Sequence, residues 1–236
     1  FNYNLNVSDA TFDLISLGNV SSKGSYDGKS LYVSYAKSAS KEGEIAASGY
    51  LPFDLNIGSP NFSKMYKNDN INFVANANIR SLPFLSPYID DLDSAAGDFI
   101  IELSLSGTTT DMIRNGNIKI QNGKLHTLLF TDPIESINGG AVMVNNQLII
   151  SNLDFLLFNT SGSSAKPPDK NTFVEGTLDF TKFFDPVYDI KIKSVNASYK
   201  LLFLDIYGES DLDLTISGRD TVLIAGKIET QKANVF

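Results

Sequence analysis

The sequence predicts an all-β fold built from antiparallel strands that each carry one apolar and one polar face. Apolar and polar residues alternate with a period of two along most of the chain, as in residues 1–7, where asparagines separate four apolar side chains. The helical period of about 3.6 residues is almost absent. Turn signals such as Asn-Gly at 115–116 and 138–139 separate the alternating runs. This combination is typical of an antiparallel sheet with one solvated face.

The most regular alternation predicts strands, in chain order, at 1–7, 99–105, 118–120, 141–144, 148–150, 178–180, 188–192 and 212–216. One short helix is expected over about 82–92, where Ser86 would cap the first turn and Pro87 would take the first helical position. A second short helix is expected over 181–184. The polar, low-complexity segment 161–171 is expected to form an exposed loop.

Both ends of the sequence stop within a strand-like pattern. The chain begins Phe-Asn-Tyr-Asn-Leu-Asn-Val, with no basic segment or cleavage site, and it ends Ala-Asn-Val-Phe. No run of about 18 apolar residues occurs, so no membrane-spanning helix is expected. We therefore expect residues 1–236 to be one slice of a continuous β-array that belongs to a longer protein.

The composition excludes several classes of function. Of 236 residues, none is Cys or Trp and one is His, and the formal net charge is −8. The surplus of carboxylates disfavours nucleic-acid binding, and the lack of Cys excludes disulfides, Cys-based metal sites and a Cys nucleophile. No nucleophile elbow and no phosphate-binding Gly loop that leads into a helix occurs, and the absence of Trp disfavours a sugar-cleaving cleft. We expect no enzymatic activity and no cofactor.

Neither the single histidine nor the acidic group at 90–98 has the pattern of a metal site. His126 has no second His and no Cys with which to share a metal, so we expect it at the surface or at a strand edge. The acidic group Asp90, Asp91, Asp93 and Asp98 lacks the pattern of a calcium loop and is expected at a helix end and loop. Asp211 and Asp213 fall on the polar phase of a strand, where we expect them to be solvated.

An internal repeat predicts the domain organisation. Residues 101–107, followed by Gly116-Asn-Ile118, match residues 212–218, followed by Gly226-Lys-Ile228, at offsets of 111 and 110 residues. Repeats of this kind are typical of open arrays in which each unit contacts mainly its neighbours. The approximate repeat units are 1–110 and 111–236.

A second, looser match lies upstream. Leu31-Tyr-Val33, followed by Gly43-Glu-Ile45 and Gly49-Tyr-Leu51, is similar to Leu148-Ile-Ile150, followed by Gly176-Thr-Leu178. The loop at 161–171 accounts for the extra length of the second copy.

Several of these segments resemble the repeats of the TamB and AsmA-like family of bridge-like lipid-transport proteins. The resemblance is carried by 97–108, by Gly116-Asn-Ile-Lys-Ile-Gln-Asn-Gly-Lys-Leu125, by Asp132-Pro-Ile-Glu-Ser-Ile-Asn-Gly139 and by Gln147-Leu-Ile-Ile-Ser-Asn-Leu153. Residues 176–228 look like a second copy. The family's pattern consists of a strand that ends in a Gly-Thr turn, a Gly-x-Ile-x-Ile strand, an Asn-Gly turn, a connection that begins Pro-Ile and ends Ile-x-Gly, and another strand.

The resemblance implies a long curled antiparallel sheet, a β-taco, whose apolar groove carries phospholipid. Such proteins cross the periplasm of diderm bacteria from an inner-membrane anchor and support outer-membrane biogenesis in the cell envelope. The resemblance further implies partner proteins at both membranes, reached through parts of the protein that this sequence does not contain.

The groove would be lined by the apolar residues of the most regular strands. These are Phe99, Ile101, Leu103, Leu105, Ile118, Ile120, Val142, Val144, Leu148, Ile150, Leu178, Phe180, Ile190, Ile192, Leu212, Leu214 and Ile216. The alternative is that they form a dry core between two sheets. In that case the chain would be a structural or adhesive β-repeat segment of a bacterial surface protein, whose function lies on polar loops such as 161–171. A third candidate is a carbohydrate-binding β-domain.

Overall fold

The structure is a computed structural model of the whole chain. It describes residues 1–12, 15–56, 58–59, 64–82, 92–128, 132–157, 170–182, 185–201, 206–219 and 221–235. The helix expected over 82–92 falls almost entirely outside these residues. So do Phe183 and Phe184 of the second expected helix, and Thr181 and Lys182, which precede them, form a bend rather than a helix. The described part of the chain contains strands and no helix.

Thirteen antiparallel strands form one sheet, which confirms the all-β prediction. Their bounds are β1 Asn2–Phe12, β2 Ile15–Tyr26, β3 Leu31–Ser40, β4 Gly43–Leu51, β5 Asn72–Ser81, β6 Leu92–Gly107, β7 Met112–Thr127, β8 Ile134–Val144, β9 Gln147–Leu156, β10 Thr172–Asp179, β11 Val187–Leu201, β12 Ile206–Gly218 and β13 Val222–Val235. The spatial order of the strands is the same as their order in the sequence, from β1 to β13. Each strand therefore pairs with the strands that precede and follow it in the chain.

The chain divides into two compact units. Unit 1 contains residues 1–79 and 100–117, and unit 2 contains residues 80–99 and 118–236. These bounds differ from the repeat units 1–110 and 111–236, because the long strands β6 and β7 contribute to both compact units.

In unit 1, the middle rows of one face of β2–β5 are formed mainly by small side chains. Cross-strand partners lie on the same face of a sheet. One row of partners runs Ser22, Ala36, Ala47 and Ala75. The neighbouring row places Ile45 between Ser38 and Ala77. Towards the β2–β3 turn the same face carries larger side chains, among them Leu31, Val33, Leu51 and Phe73.

A polar cluster fastens the connection between β4 and β5 in unit 1. Asp54 is buried and accepts hydrogen bonds from the Ser59 hydroxyl at 2.7 Å and from the Asn56 amide at 2.9 Å. These two hydrogen bonds hold the pKa of Asp54 below its ordinary value. The Tyr26 hydroxyl accepts the amide of Leu55 at 3.1 Å. The segment after β4 is therefore bonded to the β2–β3 hairpin.

The hairpins of the upstream match have the same register. In β3 and β4, Leu31 lies opposite Leu51 and Val33 lies opposite Gly49. The matched residues of β9 and β10 pair in the same way, with Leu148 opposite Leu178 and Ile150 opposite Gly176. Both glycines have a positive φ, 138° for Gly49 and 153° for Gly176.

The hairpins of the closer match also share a backbone contact. A Cβ on Gly116 would lie 2.3 Å from the carbonyl oxygen of Glu102, and a Cβ on Gly226 would lie 2.1 Å from that of Asp213. Glu102 and Asp213 are the equivalent residues of the two matched segments. The sequence match therefore corresponds to a shared hairpin geometry, although the full repeat remains a prediction.

Candidate ligand-binding face

One face of β8–β13 in unit 2 is continuously apolar. We call it the apolar face, and the strand registers define it. One row of cross-strand partners runs Ala141, Ile150, Gly176, Ile190, Ile216 and Ile224. The next row runs Leu153, Val174, Ile192, Leu214 and Gly226. A third row runs Met143, Leu148, Leu178 and Tyr188.

Most of these side chains are partly exposed rather than buried. Ile190, Ile192 and Leu214 are half-buried in the middle of the unit. Exposure rises at the edge strand β13, where Ile224 is 62% exposed and Ile228 is 56% exposed. A face of large aliphatic side chains that keeps this exposure can bind another apolar surface or a ligand.

The structure brings eight of the seventeen predicted lining residues together on this face. They are Leu148, Ile150, Leu178, Ile190, Ile192, Leu212, Leu214 and Ile216. Phe180 follows the last residue of β10 and is half-buried.

Val142 and Val144 lie on the opposite side of the sheet. Val142 pairs with Ile149 and Val144 with Gln147, whereas the apolar face contains the alternate residues of both strands. Both valines are exposed. Because β8 has apolar residues in both phases, from Ala141 to Val144, alternation alone does not decide which of them share a face with Leu148.

The remaining predicted lining residues lie on β6 and β7. Phe99 is buried, and five others are half-buried: Ile101, Leu103, Leu105, Ile118 and Ile120. They occupy alternate positions of their strands, as the period of two predicts.

The prediction missed several residues of the apolar face. These are Ala141, Met143, Leu153, Val174, Tyr188, Ile224 and Ile228. In β13, Val222, Leu223 and Ile224 follow one another, so only the pairing of Ile224 with Ile216 assigns it to this face. The repeat could have predicted Ile228, because Gly226-Lys-Ile228 matches Gly116-Asn-Ile118 and Ile118 is a predicted lining residue.

The other side of the same strands is mainly polar, and we call it the polar face. It carries Glu175, Asp189, Lys191, Lys193, Asp213 and Lys227, all of them exposed. Asp213 is therefore exposed to solvent, as the sequence predicts. Asp211 is half-buried instead, and its carboxylate accepts the amide of Asn196 at 2.7 Å.

Irregularities interrupt β9, β11 and β13 at comparable positions. In β9, Ser151 and Asn152 together stand opposite Glu175. In β11, Asn196 has φ 51°, and its side-chain oxygen accepts the Gln231 amide of β13 at 2.8 Å. β-Bulges bend a strand and increase its local twist. A line of bends therefore crosses the strands that form the apolar face.

A buried polar seam ends the apolar face at these bulges. Thr172 and Ser194 share a hydrogen bond of 2.9 Å between their hydroxyls, and both residues are buried. Asn171 is also buried, and its side-chain amide donates to the carbonyl oxygens of Leu157 and Asn196. The expectation of an exposed loop at 161–171 is thus wrong for Asn171. Lys170 is exposed, and 161–169 lie outside the described residues.

Beyond the seam, the polar face carries three mutually bonded residues on β12 and β13. The Tyr207 hydroxyl donates to the Glu209 carboxylate, which also forms an ion pair with Lys232 at 3.1 Å. The Tyr207 hydrogen bond and the Lys232 charge lower the pKa of Glu209. Burial and the neighbouring carboxylate raise the pKa of Tyr207. The polar groups of these three residues are thus hydrogen-bonded or ion-paired with one another.

The described residues contain no group of three or more His, Asp or Glu side chains arranged to hold a metal ion. Asp93 and Asp98 are exposed residues of β6, so the expectation of a helix end and loop is wrong for these two residues, and Asp90 and Asp91 lie outside the described residues. His126 is a half-buried residue near the end of β7.

Comparisons with known proteins leave the chain without an assigned relative. No model of a protein family, no curated protein and no solved structure matches it significantly. Among the residues that the structure describes, no helix is long and apolar enough to cross a membrane. The apolar face is therefore the feature of the described residues that most specifically constrains function.

Proposed function

We propose that this chain is a segment of a bridge-like lipid-transport protein that carries phospholipid acyl chains along the apolar face. In this proposal the parent protein has an inner-membrane anchor, crosses the periplasm of a diderm bacterium and supports outer-membrane assembly. The resemblance of the repeats to TamB and AsmA-like proteins favours this setting. The observation that carries the proposal is the unbroken apolar face of β8–β13.

The physical basis is transfer of acyl chains from water to an aliphatic surface. Each CH₂ group removed from water contributes about 0.8 kcal/mol, so an acyl chain on this face is stabilised in proportion to the length that it buries. The side chains that would contact it include Ile190, Ile216 and Leu214, which are half-buried and keep part of their surface in solvent. The head group would stay in water, and the protein would lower the barrier to movement without reacting with the lipid.

A curled sheet would increase the area that each acyl chain buries. The bulges at Ser151 and Asn196 favour such a curl, because bulges at defined positions are the usual means of curving a sheet. The curl and the enclosed groove are parts of the proposal.

The test compares two charges on adjacent residues of β12. Ile216 lies on the apolar face between Ile190 and Ile224, and Thr215 lies on the polar face opposite Lys191. Ile216→Asp places a carboxylate in the proposed lipid path, where its desolvation would oppose an acyl chain. Thr215→Asp places the same charge one residue away, on the other side of the sheet.

We expect the wild-type chain to remove fluorescent phospholipid from vesicles of phosphatidylethanolamine and phosphatidylglycerol, and to retain lipid in native mass spectrometry. Ile216→Asp should reduce the bound lipid at least about fivefold, while Thr215→Asp should leave it unchanged. Ile120→Asp on β7 should act in the same way as Ile216→Asp. Equal lipid binding by the two β12 variants would contradict the proposal.

Circular dichroism and thermal unfolding of the same variants separate this function from the dry-core alternative. If the apolar face were a dry core, Ile216→Asp would abolish folding and the wild-type chain would bind no lipid. The chain would then be better described as a structural or adhesive β-repeat segment.

A further inference from the structure

The polar face of unit 2 contains a cavity that the lipid proposal does not use. It has a volume of about 510 Å³ and is open to solvent where β9, β10 and β11 lie side by side. This volume is within the range of about 300–1,000 Å³ that is usual for small-molecule sites. Its walls include Asn152, Lys170, Phe173, Glu175, Lys191 and Lys193.

The bulge in β9 shapes one wall of the cavity. Ser151 and Asn152 together stand opposite the single residue Glu175, so β9 departs there from the regular spacing of the sheet. Bulges are frequent beside binding sites, because they redirect side chains that would otherwise follow the pleat. Asn152 pairs with Gly140 of β8 and lies on the polar face, where its amide can bond a ligand.

An exposed aromatic ring lies within the same cavity. Phe173 is 48% exposed, although it is a residue of a central strand of unit 2. The Nζ atom of Lys170 lies 5.9 Å from the centre of its ring and 2.8 Å from the carboxylate of Asp154. The ion pair with Asp154 holds Lys170 against the ring. The part of the Phe173 ring that Lys170 does not cover is the surface on which a ligand ring can stack.

Two further lysines give the cavity an unbalanced positive charge. Lys193 is the cross-strand partner of Phe173, and Lys191 is the partner of Glu175. Both are exposed, and neither forms an ion pair with any residue in the described ranges. Asp154 is already paired with Lys170, so Glu175 is the one remaining carboxylate of the wall against the ammonium groups of Lys191 and Lys193, while Asp213, opposite Lys193 on β12, lies outside the wall. This balance favours an anion, even though the whole chain is acidic.

We infer that this cavity binds a small organic anion that carries a ring. The ring would stack on Phe173, and the anionic group would lie between the ammonium groups of Lys191 and Lys193. These two lysines are two positions apart on β11 and so project from the same side of the strand. The inference is independent of lipid transport, because the cavity and the apolar face are on opposite sides of the sheet.

The test uses phenyl phosphate and glucuronate as two probes of this class, with inorganic phosphate and phenol as incomplete probes. Binding is followed by backbone amide shifts in NMR spectra at low salt, where exposed charges are least screened. We expect at least one complete probe to shift the amides of 151–154, 173–175 and 191–193, and to bind about tenfold more tightly than inorganic phosphate or phenol. The preferred complete probe shows whether the ring is aromatic or a sugar.

Variants identify the contacts. Phe173→Ala and the double change Lys191→Ala with Lys193→Ala should each weaken binding of the preferred probe about three- to tenfold. Lys119→Ala removes an exposed lysine of β7 and should leave it unchanged. All of these changes are at exposed positions, and circular dichroism checks that each variant keeps its sheet. Absence of amide shifts with both complete probes, or affinity that is the same in all variants, would overturn the inference.

Discussion

The two compact units use the same backbone devices but present different side chains on their apolar faces. In unit 1, Ser22, Ala36, Ala47 and Ala75 form one row across four strands. In unit 2, the equivalent row runs Leu153, Val174, Ile192 and Leu214 and is composed of larger aliphatic residues. The hairpins that carry these faces share a register in which a glycine with positive φ lies opposite Val33 or Ile150. The row that contains these glycines is apolar in both units, with Phe73 beside Gly49 and Ile190 beside Gly176, so side-chain volume varies only in the neighbouring row.

The largest expected effect is a loss of stability when a glycine of the shared hairpin geometry is replaced, and we expect it in both units. A Cβ on Gly176 would lie 2.3 Å from the carbonyl oxygen of Asp189, and a Cβ on Gly49 would lie 2.3 Å from that of Asn72. Both glycines have a φ that disfavours any other residue. We expect Gly176→Ala and Gly49→Ala each to lower the free energy of unfolding by about 2–4 kcal/mol in urea titrations.

Gly28→Ala is the control, since nothing lies within 4 Å of an added Cβ there, although its φ of 101° still carries a backbone cost. A loss at Gly49 or Gly176 no larger than the loss at Gly28 would contradict the role of the close carbonyl contact.

An intermediate effect should separate the units by the size of the neighbouring side chains. Ile192 lies between Val174 and Leu214, whereas Ile45 lies between Ser38 and Ala77. Truncation to alanine removes the contacts between the isoleucine and its cross-strand partners, and larger partners make more contacts. Ile192→Ala should therefore lower the free energy of unfolding by about 2 kcal/mol and Ile45→Ala by about 1 kcal/mol. Urea unfolding of both variants measures the difference. Equal losses would show that side-chain volume does not distinguish the faces.

The smallest expected effect concerns pH. The pKa of Asp54 in unit 1 is lowered from the ordinary value of 3.8. Its carboxylate therefore stabilises the fold above pH 3.8, and this contribution is lost as the pH falls below that value. In unit 2, the raised pKa of Tyr207 makes a contribution that is present below pH 10.0 and is lost as the pH rises through the raised value.

Thermal unfolding as a function of pH measures both contributions. Asp54→Asn should flatten the loss of stability below pH 3.8, and Tyr207→Phe should flatten the loss above pH 10.0. An unchanged acid profile for Asp54→Asn would show that the hydrogen bonds of Asp54 do not contribute to stability.

The strand pattern was predictable because each apolar residue in an alternating run faces the same side. Ile190, Ile192, Leu214 and Ile216 were placed correctly on one face by this rule. The rule failed at Val142, where both phases of the strand are apolar, and the register of β8 with β9 decides the face.

Other features of the site depend on pairing between distant residues. The cavity beside Phe173 requires the bulge at Ser151. The sequence around each of these two residues is that of an ordinary strand, so it indicates neither a bulge nor a cavity. The burial of Asn171 depends on hydrogen bonds to Leu157 and Asn196, which lie in two other parts of the chain. Local patterns contain no information about such contacts.

The identity of spatial and sequential strand order also governs how the sheet would respond to tension and to evolution. Because every strand pairs with its sequence neighbours, tension applied between β1 and β13 would be carried from each strand to the next along the sheet. For the same reason, insertion or deletion of a whole hairpin would change the number of strands without altering any other connection. A sheet of this kind can be lengthened or shortened in steps of one hairpin.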